Sequence, residues 1–117
     1  IYNSFFKKYK FMKIPSVSKE VYHAYHIYPL QVNFSKTRLK KSVLFNRLKK
    51  RNIILQVHYI PIHLQPYYKK NFIIDKKTLN NSLEFYRNEC SLPIFPDLKL
   101  RTVEKICDAI ISQIETH

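Results

Sequence analysis

The segment VHYIPIHLQPYY, Val57–Tyr68, decides how this chain is organised. It places two imidazoles, three phenols and one carboxamide among aliphatic residues and two prolines. Pro61 and Pro66 each fix φ and remove a backbone donor, so we expect neither a regular strand nor a helix to pass through them. The segment therefore predicts a stiff, irregular loop, the kind of segment in which binding groups concentrate on a packed scaffold.

Six side chains of this loop are candidates for ligand binding. Histidine can donate or accept a hydrogen bond near neutral pH, and tyrosine offers both a stacking face and a hydroxyl. Together with a carboxamide they suit a polar ligand such as a sugar or a nucleotide. An alternative remains open, in which the tyrosines pack on a sheet and the histidines cap backbone groups. The six candidates are His58, Tyr59, His63, Gln65, Tyr67 and Tyr68.

Metal and nucleophile chemistry are poorly supported by the residue pattern. His58 and His63 are separated by a proline and have no Cys, Asp or Glu nearby to complete a ligand set, so we predict no metal site. His23 and His26 fall on opposite faces of a regular strand. Ser91 has no recognisable base motif beside it, so we predict no catalytic residue in this chain.

Three elements are predicted ahead of the loop. Residues 21–34 are rich in Tyr, Val and Ile without an internal turn signal, which predicts one long strand, with Pro29 at an edge or a bulge. A helix is expected over residues 36–51, capped by Ser35. Residues 53–57 then form a short strand that leads into the loop.

The remaining elements follow helical or extended patterns. Aromatic spacing predicts a helix over residues 2–12. Residues 69–76 read as a basic connector, 77–88 as a helix, and 90–95 as a short extended piece. An amphipathic helix is expected over 100–115, with an apolar stripe at Val103, Ile106, Cys107, Ile110, Ile111 and Ile114. The order predicts an α+β fold in which helices cover a small sheet.

Composition limits the possible functions. The chain has 117 residues and 45% hydrophobic content, enough for one domain or part of one, and no apolar run approaches the ~20 residues that span a bilayer. Glycine is absent, which excludes a P-loop and a GxGxxG fingerprint within this segment. Asn52 must therefore take the left-handed position after a helix where glycine is usual. Because the chain opens with Ile1 rather than Met, we expect it to be a fragment.

The net charge of +13 allows two interpretations. It could be an electrostatic footprint for nucleic acid or another anion, or it could reflect lysine-rich, solvated helix faces. The positive charges are mostly lysines dispersed along the chain, which favours solvated faces. Cys90 and Cys107 lack metal-type spacing, so we expect reduced core thiols, with a disulfide as the alternative.

Three blocks of the chain resemble a known family. They are HAYHIYPLQV (His23–Val32), RLKKSVLFNRLKKRNIILQVHYIPIHLQPYY (Arg38–Tyr68) and LEFYRNECSLPIFPDLKLRTVEKICDAI (Leu83–Ile110). In this order they resemble the C-terminal region of the DegT/DnrJ/EryC1/StrS sugar aminotransferases, and they cover nearly the whole chain. The VHYIPIHLQPYY block is the most specific. Within the family, the resemblance is strongest to the branch on the route to pseudaminic acid.

The resemblance implies the small C-terminal domain of a fold-type I transferase that depends on pyridoxal 5′-phosphate, with a small, mostly antiparallel sheet covered by helices. It implies a cytoplasmic homodimer that moves an amino group from glutamate to a UDP-4-keto-6-deoxy sugar. Residues 1–14 would be the end of the interdomain helix and a connector, and residues 15–117 the small domain. The catalytic lysine lies in the family's large domain, so this chain alone would bind no cofactor covalently and would be inactive.

The same resemblance gives the six loop residues a role in recognising the nucleotide sugar. Two positions depart from the family pattern. Asn52 stands where glycine is common, and Gln31 stands where the family often has a positively charged residue. Two alternatives remain, a small basic module for single-stranded nucleic acid and a non-functional gene remnant. Neither a membrane nor a nucleic acid is expected as a partner of the aminotransferase.

Overall fold

Alternating burial along one strand organises the core. The structure, a computed structural model, describes residues 1–75 and 78–116. Its elements are α1 (Tyr2–Phe6), β1 (Met12–Lys13), β2 (Tyr28–Val32), α2 (Lys41–Lys49), a 3-10 turn (Ile62–Leu64), α3 (Pro66–Asn71), α4 (Asn80–Asn88), β3 (Glu89–Leu92) and α5 (Leu100–Glu115). Within β2, Tyr28, Leu30 and Val32 are buried, while the residues between them are partly exposed. Period-2 burial of this kind is typical of a strand with one face on the core.

The three strands form an antiparallel sheet in the order β1-β2-β3. Leu30 lies opposite Cys90 and Tyr28 opposite Leu92, so the apolar side chains of β2 and β3 meet on one face. The four residues of β3 are all buried, which means that both faces of this strand are covered. Helices α1, α2 and α5 supply most of the other buried apolar side chains, and Leu39 and Leu55 in connecting segments supply the rest. The predicted α+β class is confirmed.

Helix α5 matches its predicted bounds, and all six residues of its predicted apolar stripe are buried. None of the helices formed by the described residues is long and apolar enough to cross a membrane. Both cysteines are free and buried, as expected for core thiols. Burial raises the pKa of the Cys90 thiol to about 12 and that of Cys107 to about 11, so both are poor nucleophiles near neutral pH.

The prediction of one long strand over residues 21–34 is wrong for its first half, because β2 begins only at Tyr28. The N–H of Tyr25 donates to Nδ1 of His23 at 2.8 Å, and Tyr25 has a positive φ of 48°. A local side-chain bond of this kind competes with a strand ladder. The Tyr22 side chain is 97% exposed, so this stretch follows the surface.

The prediction that Pro29 marks an edge strand is also wrong in its simple form, because β2 is the central strand. The reason lies in the length of β1, which pairs only with Gln31 and Val32. At the level of Pro29 the strand has a partner on one side alone, Ser91 of β3. A missing backbone donor is tolerated where the neighbouring strand has ended.

Helix α2 is shorter than predicted and is not capped by Ser35. Its N-cap is Lys40, without a side-chain hydrogen bond. The Ser35 hydroxyl donates instead to Oδ1 of Asn33, which also accepts from the N–H of Lys36. The asparagine thus builds a turn over the residues predicted to be the first helical turn.

The strand predicted over residues 53–57 is reduced to a single bridge between Gln56 and Ser91, in which each backbone N–H donates to the other residue's carbonyl. Pro66 does not interrupt a helix but begins one, α3, because proline fits the first helical position, where its missing donor would have no partner. The connector predicted over 69–76 therefore lies partly within α3.

The other predicted elements differ mainly at their ends. Helix α1 ends at Phe6 rather than Met12, and β1 begins at Met12, the last residue of the predicted helix. Helix α4 covers 80–88 of the predicted 77–88, and β3 covers the first half of the extended piece predicted over 90–95. Residues 76 and 77, to which the connector and helix predictions extend, lie outside the described residues.

The C-terminal end of α2 has the predicted asparagine turn. Asn52 has a φ of 58°, its N–H donates to the carbonyl of Lys49, and the N–H of Ile53 donates to the carbonyl of Leu48. This pair of bonds is the Schellman motif, with Asn52 at the left-handed position. Asparagine visits this conformation more readily than residues with longer side chains, so it replaces the glycine usual there.

We expect Asn52→Ala to lower the free energy of unfolding by about 1 kcal/mol, because alanine is strained at positive φ. Asn52→Gly should equal or exceed the native stability. The matched control is Asn46→Ala on the exposed side of α2, where alanine is the better helix former. Urea unfolding measures all three, and equal stability of Asn52→Ala and the native chain would contradict the assignment.

Candidate functional site

The loop singled out by the sequence leaves the sheet directly after Gln56. Its backbone passes through a cis peptide bond between His58 and Tyr59, the 3-10 turn, and α3. The six candidate side chains do not share one cavity. Tyr59, His63 and Tyr68 line one cavity, His58 lines another, and Gln65 and Tyr67 are absent from the walls of both.

The first of these, the loop cavity, has a volume of about 580 Å³. Its walls are mostly apolar, with the imidazole of His63, two phenols and one serine as the polar groups. This is the usual character of a small-molecule site, in which a few polar groups orient a ligand against apolar walls. It is lined by Tyr59, Ile60, Pro61, Ile62, His63, Tyr68, Phe72, Ile74, Leu79, Ser82 and Phe85.

His63 is the polar group of the loop cavity that lacks a partner. Its Nε2 atom is buried, and among residues 1–75 and 78–116 it has no hydrogen bond. Buried polar atoms are normally paired, so this ring nitrogen is an unsatisfied group next to the cavity. The neighbouring Tyr59 side chain is 75% exposed and is free to contact a ligand in the cavity.

The second, the sheet-edge cavity, has a volume of about 410 Å³ and more polar walls. His58 and Ser91 lie next to each other there, with Nδ1 of His58 2.8 Å from Oγ of Ser91. The polar side chains of His26 and Gln56 complete the lining. The apolar walls are Ile27, Ile54, Leu92, Pro93, Ile94 and Phe95.

A buried carboxylate stands behind His58. Glu89 is fully buried, its Oε2 accepts from the backbone N–H of His58 at 3.2 Å, and its Oε1 accepts from the hydroxyl of Ser91. Sequence reasoning missed this group, because Glu89 lies between the helix predicted over 77–88 and the extended piece predicted over 90–95. The signal that could have found it is the spacing: Glu89 and Ser91 are two residues apart in an extended piece, and such residues share a face.

Gln65 and Tyr67 line neither cavity, and both make contacts with α3 itself. Gln65 is the N-cap residue of α3, and its carbonyl accepts from the N–H of Lys69. The ring of Tyr67 contacts those of Tyr68 and Phe72, at centroid distances of 5.4 and 6.3 Å. With 65% of its side chain exposed, Tyr67 extends the aromatic surface beside the loop cavity.

Neither of these two cavities fits a complete site for pyridoxal phosphate. Neither the loop cavity nor the sheet-edge cavity has a lysine or a carboxylate among its described lining residues, so neither offers an amine to hold the cofactor or an acid to pair with its ring nitrogen. No group of three or more His, Cys, Asp or Glu side chains in the described part of the chain could hold a metal ion.

Lys41 is partly buried elsewhere, between the rings of Phe45 and Tyr86, and donates to the carbonyl of Tyr86 at 2.7 Å. Desolvation lowers the pKa of Lys41, while the electrostatic influence of the Cys90 thiol and of Glu89 acts in the opposite direction. This ammonium is therefore engaged with α4 and lies outside both cavities.

The two histidines should differ in their effect on stability. We expect His58→Leu to lower the free energy of unfolding by about 1–3 kcal/mol, because it removes a partner of Ser91 inside a buried network. We expect His63→Leu to leave stability unchanged or higher, because the lost nitrogen has no partner to forfeit. Urea unfolding of both variants measures this difference. A larger loss of stability for His63→Leu than for His58→Leu would contradict the hydrogen-bonded environment of His58 and the unpaired environment of His63.

Comparisons with known proteins are consistent with this architecture. The sequence model of the DegT/DnrJ/EryC1/StrS aminotransferase family matches residues 1–111. The uncharacterised protein MJ1066 of Methanocaldococcus jannaschii is 36% identical over 110 residues, which is 94% of this chain and 28% of the relative. The UDP-4-amino-4,6-dideoxy-N-acetyl-β-L-altrosamine transaminase of Helicobacter pylori is 33% identical over 91 residues, 78% of this chain and 24% of the relative.

A solved structure gives the same result for the fold. Helicobacter pylori PseC, an aminotransferase involved in the biosynthesis of pseudaminic acid, superposes with a TM-score of 0.84 at 27% identity. The match covers 99% of this chain and 30% of PseC, so the chain spans less than a third of the length of each of these proteins. On the family match over residues 1–111, this chain belongs to the DegT/DnrJ/EryC1/StrS aminotransferase family.

Proposed function

We propose that this chain is the substrate-side small domain of a nucleotide-sugar aminotransferase that uses pyridoxal 5′-phosphate. The observation that carries the proposal is the family match over residues 1–111, together with a fold that superposes on less than a third of a solved aminotransferase. In this proposal residues 1–14 end the interdomain helix and connect it to the small domain of residues 15–117. The cofactor-binding lysine then belongs to polypeptide outside this chain.

The proposed reaction is transfer of an amino group from glutamate to a UDP-4-keto-6-deoxy sugar. When bound, pyridoxal phosphate supplies the electron sink for this chemistry, and the protein supplies orientation. The resemblance to the Helicobacter pylori transaminase supports the N-acetylated altrosamine precursor as the sugar. We propose a cytoplasmic homodimer for the parent protein.

The proposed task of the loop is recognition of the nucleotide sugar. Tyr59 and Tyr68 bring phenol rings to the wall of the loop cavity, and the imidazole of His63 lies in the same wall, with an Nε2 that has no hydrogen bond among the described residues. These groups suit stacking and hydrogen bonding to a polar ring compound. In this proposal His58 contacts the ligand from the sheet-edge cavity, while Gln65 and Tyr67 flank the site.

An exposed apolar surface around the loop supports the proposal that another part of the parent protein packs against it. Large side chains that are normally buried are about half exposed or more here, and they lie close together in sequence and around one cavity. Surfaces of this kind mark protein or ligand contacts. We propose that the parent's large domain covers this surface, which includes Tyr59, Ile60, Ile62, Tyr67, Phe72 and Ile73.

The nucleic-acid alternative gains little support from the surface. The exposed lysines are distributed over β1, α2, α3, α5 and the connecting segments, rather than gathered in one described groove. Lys69 and Lys70 follow Tyr67 and Tyr68 in α3, which is a short basic and aromatic strip. The remnant alternative predicts the absence of a cooperative urea transition, so the unfolding experiments above decide it.

We expect UDP-N-acetylglucosamine, a stable nucleotide sugar of the proposed class, to shift amide NMR signals around the loop cavity. Tyr59→Ala and His63→Ala should each weaken its binding about 5- to 10-fold, the effect of losing one hydrogen bond or ring contact. Tyr22→Ala is the matched control, because Tyr22 is 97% exposed and absent from both cavity walls.

Two results of this titration would contradict the proposed recognition: no binding at all, or binding that neither loop variant weakens. A single-stranded oligonucleotide is titrated in parallel. Tighter binding of the oligonucleotide, with a steep loss of affinity as salt rises, would favour the nucleic-acid alternative.

Incubation with pyridoxal phosphate followed by borohydride reduction tests where the cofactor lysine lies. We expect peptide mass spectrometry to find only scattered, substoichiometric labelling of exposed lysines, because no lysine lines either cavity among the described residues. The control is free lysine at the same concentration. Stoichiometric labelling of one lysine would place the cofactor site in this chain and overturn the proposed domain assignment.

A further inference from the structure

Glu89 is a fully buried carboxyl group that the proposed recognition loop leaves unexplained. A carboxylate taken out of water is costly unless hydrogen bonds replace its hydration. In this chain those bonds come from the backbone N–H of His58 and the hydroxyl of Ser91, one to each oxygen. Glu89 therefore fixes both the backbone and, through Ser91, the ring of His58.

The protons in this cluster can be assigned by counting. With Glu89 taken as a carboxylate, which can only accept, the single hydroxyl proton of Ser91 goes to Glu89. The Oγ of Ser91 must then accept from Nδ1 of His58, 2.8 Å away. A neutral imidazole carries one N–H, so its other nitrogen, Nε2, is left as an acceptor.

The Nε2 atom of His58 has no hydrogen-bond partner within the described residues 1–75 and 78–116, and the side chain lines the sheet-edge cavity. The amide side chain of Gln56 lies in the same wall. An acceptor nitrogen in this setting recognises a hydroxyl or an N–H group. A phosphate or a carboxylate would instead require the imidazole to carry both protons.

We propose that Glu89 and Ser91 are positioning residues that hold His58 in its Nδ1–H form, so that Nε2 accepts a hydrogen bond from a ligand hydroxyl in the sheet-edge cavity. This deepens the proposed function, on which the identity of the hydroxyl as a sugar hydroxyl rests. The proton assignment itself does not depend on that function. It defines the sheet-edge cavity as a polyol-binding subsite beside the loop cavity.

Long-range ¹H–¹⁵N NMR of the native chain tests the proton assignment directly. The spectrum is recorded over rising pH until the imidazole signals stop changing, so that the neutral form is observed. We expect the ¹⁵N pattern of His58 to show a protonated Nδ1 and an unprotonated Nε2. The opposite pattern, with the proton on Nε2, would mean that Ser91 donates to the ring and would overturn the proposal.

Two variants separate positioning from simple packing. Ser91→Ala should shift the tautomer ratio of His58 about 5- to 10-fold toward Nε2–H, because the acceptor for Nδ1–H is lost. Ser91→Thr keeps a hydroxyl on a strand that tolerates β-branched residues, and it should retain the native ratio. An unchanged ratio in Ser91→Ala would overturn the role of Ser91. If that variant does not fold, the native and Ser91→Thr spectra still decide.

The ligand class is tested on the native chain with two probes, UDP-N-acetylglucosamine and inorganic phosphate. We expect the nucleotide sugar to shift the Nε2 signal of His58 while Nδ1 stays protonated, and phosphate at equal concentration to leave it unchanged. A phosphate-induced change to the doubly protonated ring would overturn the acceptor role. A nucleotide sugar that binds the loop cavity without affecting His58 would overturn the hydroxyl subsite while leaving the proposed function intact.

Discussion

The pleat of β3 is the constraint on which both the core and the candidate site depend. Because successive side chains of a strand point to opposite faces, Cys90 and Leu92 enter the apolar core while Glu89 and Ser91 face the other way. The antiparallel pairing with β2 fixes this register at four positions. A slip of one residue would bury the polar pair in the core and remove the support beneath His58.

The sequence was most informative where one periodicity extends over several turns. The apolar stripe of α5 lies on a helix of sixteen residues, whose predicted bounds and buried face agree with the structure. The strand predicted over residues 21–27 does not form, and the reason is physical. β propensity describes how a side chain fits a half-buried sheet surface, and no described strand pairs with this stretch. The prediction that Ser35 caps α2 was wrong because its hydroxyl donates to Asn33 instead. Residue preferences alone do not show which of two neighbouring hydrogen bonds will form.

The location of the candidate site was predictable from the sequence, but its division into two cavities was not. A loop with two prolines and many ring side chains indicated a concave surface, and Tyr59, His63 and Tyr68 line one. The separation of His58 into a second cavity depends on backbone geometry around Gln56, which bridges to Ser91. The spacing of Glu89 and Ser91 places both side chains on one face of a strand, but only the tertiary structure shows that this face is covered and that Glu89 is buried.

The two cavities place different demands on a ligand, and together they describe one kind of molecule. The loop cavity is apolar and aromatic with one unpaired nitrogen, which suits a flat or ring-shaped group with few polar contacts. The sheet-edge cavity is smaller and more polar, with a histidine supported by a buried carboxylate. A nucleotide sugar has both an aromatic base and a hydroxylated ring. Because the described walls contain binding groups without a lysine or a carboxylate, this chain is suited to orient such a ligand while another part of the parent protein supplies the reacting amine.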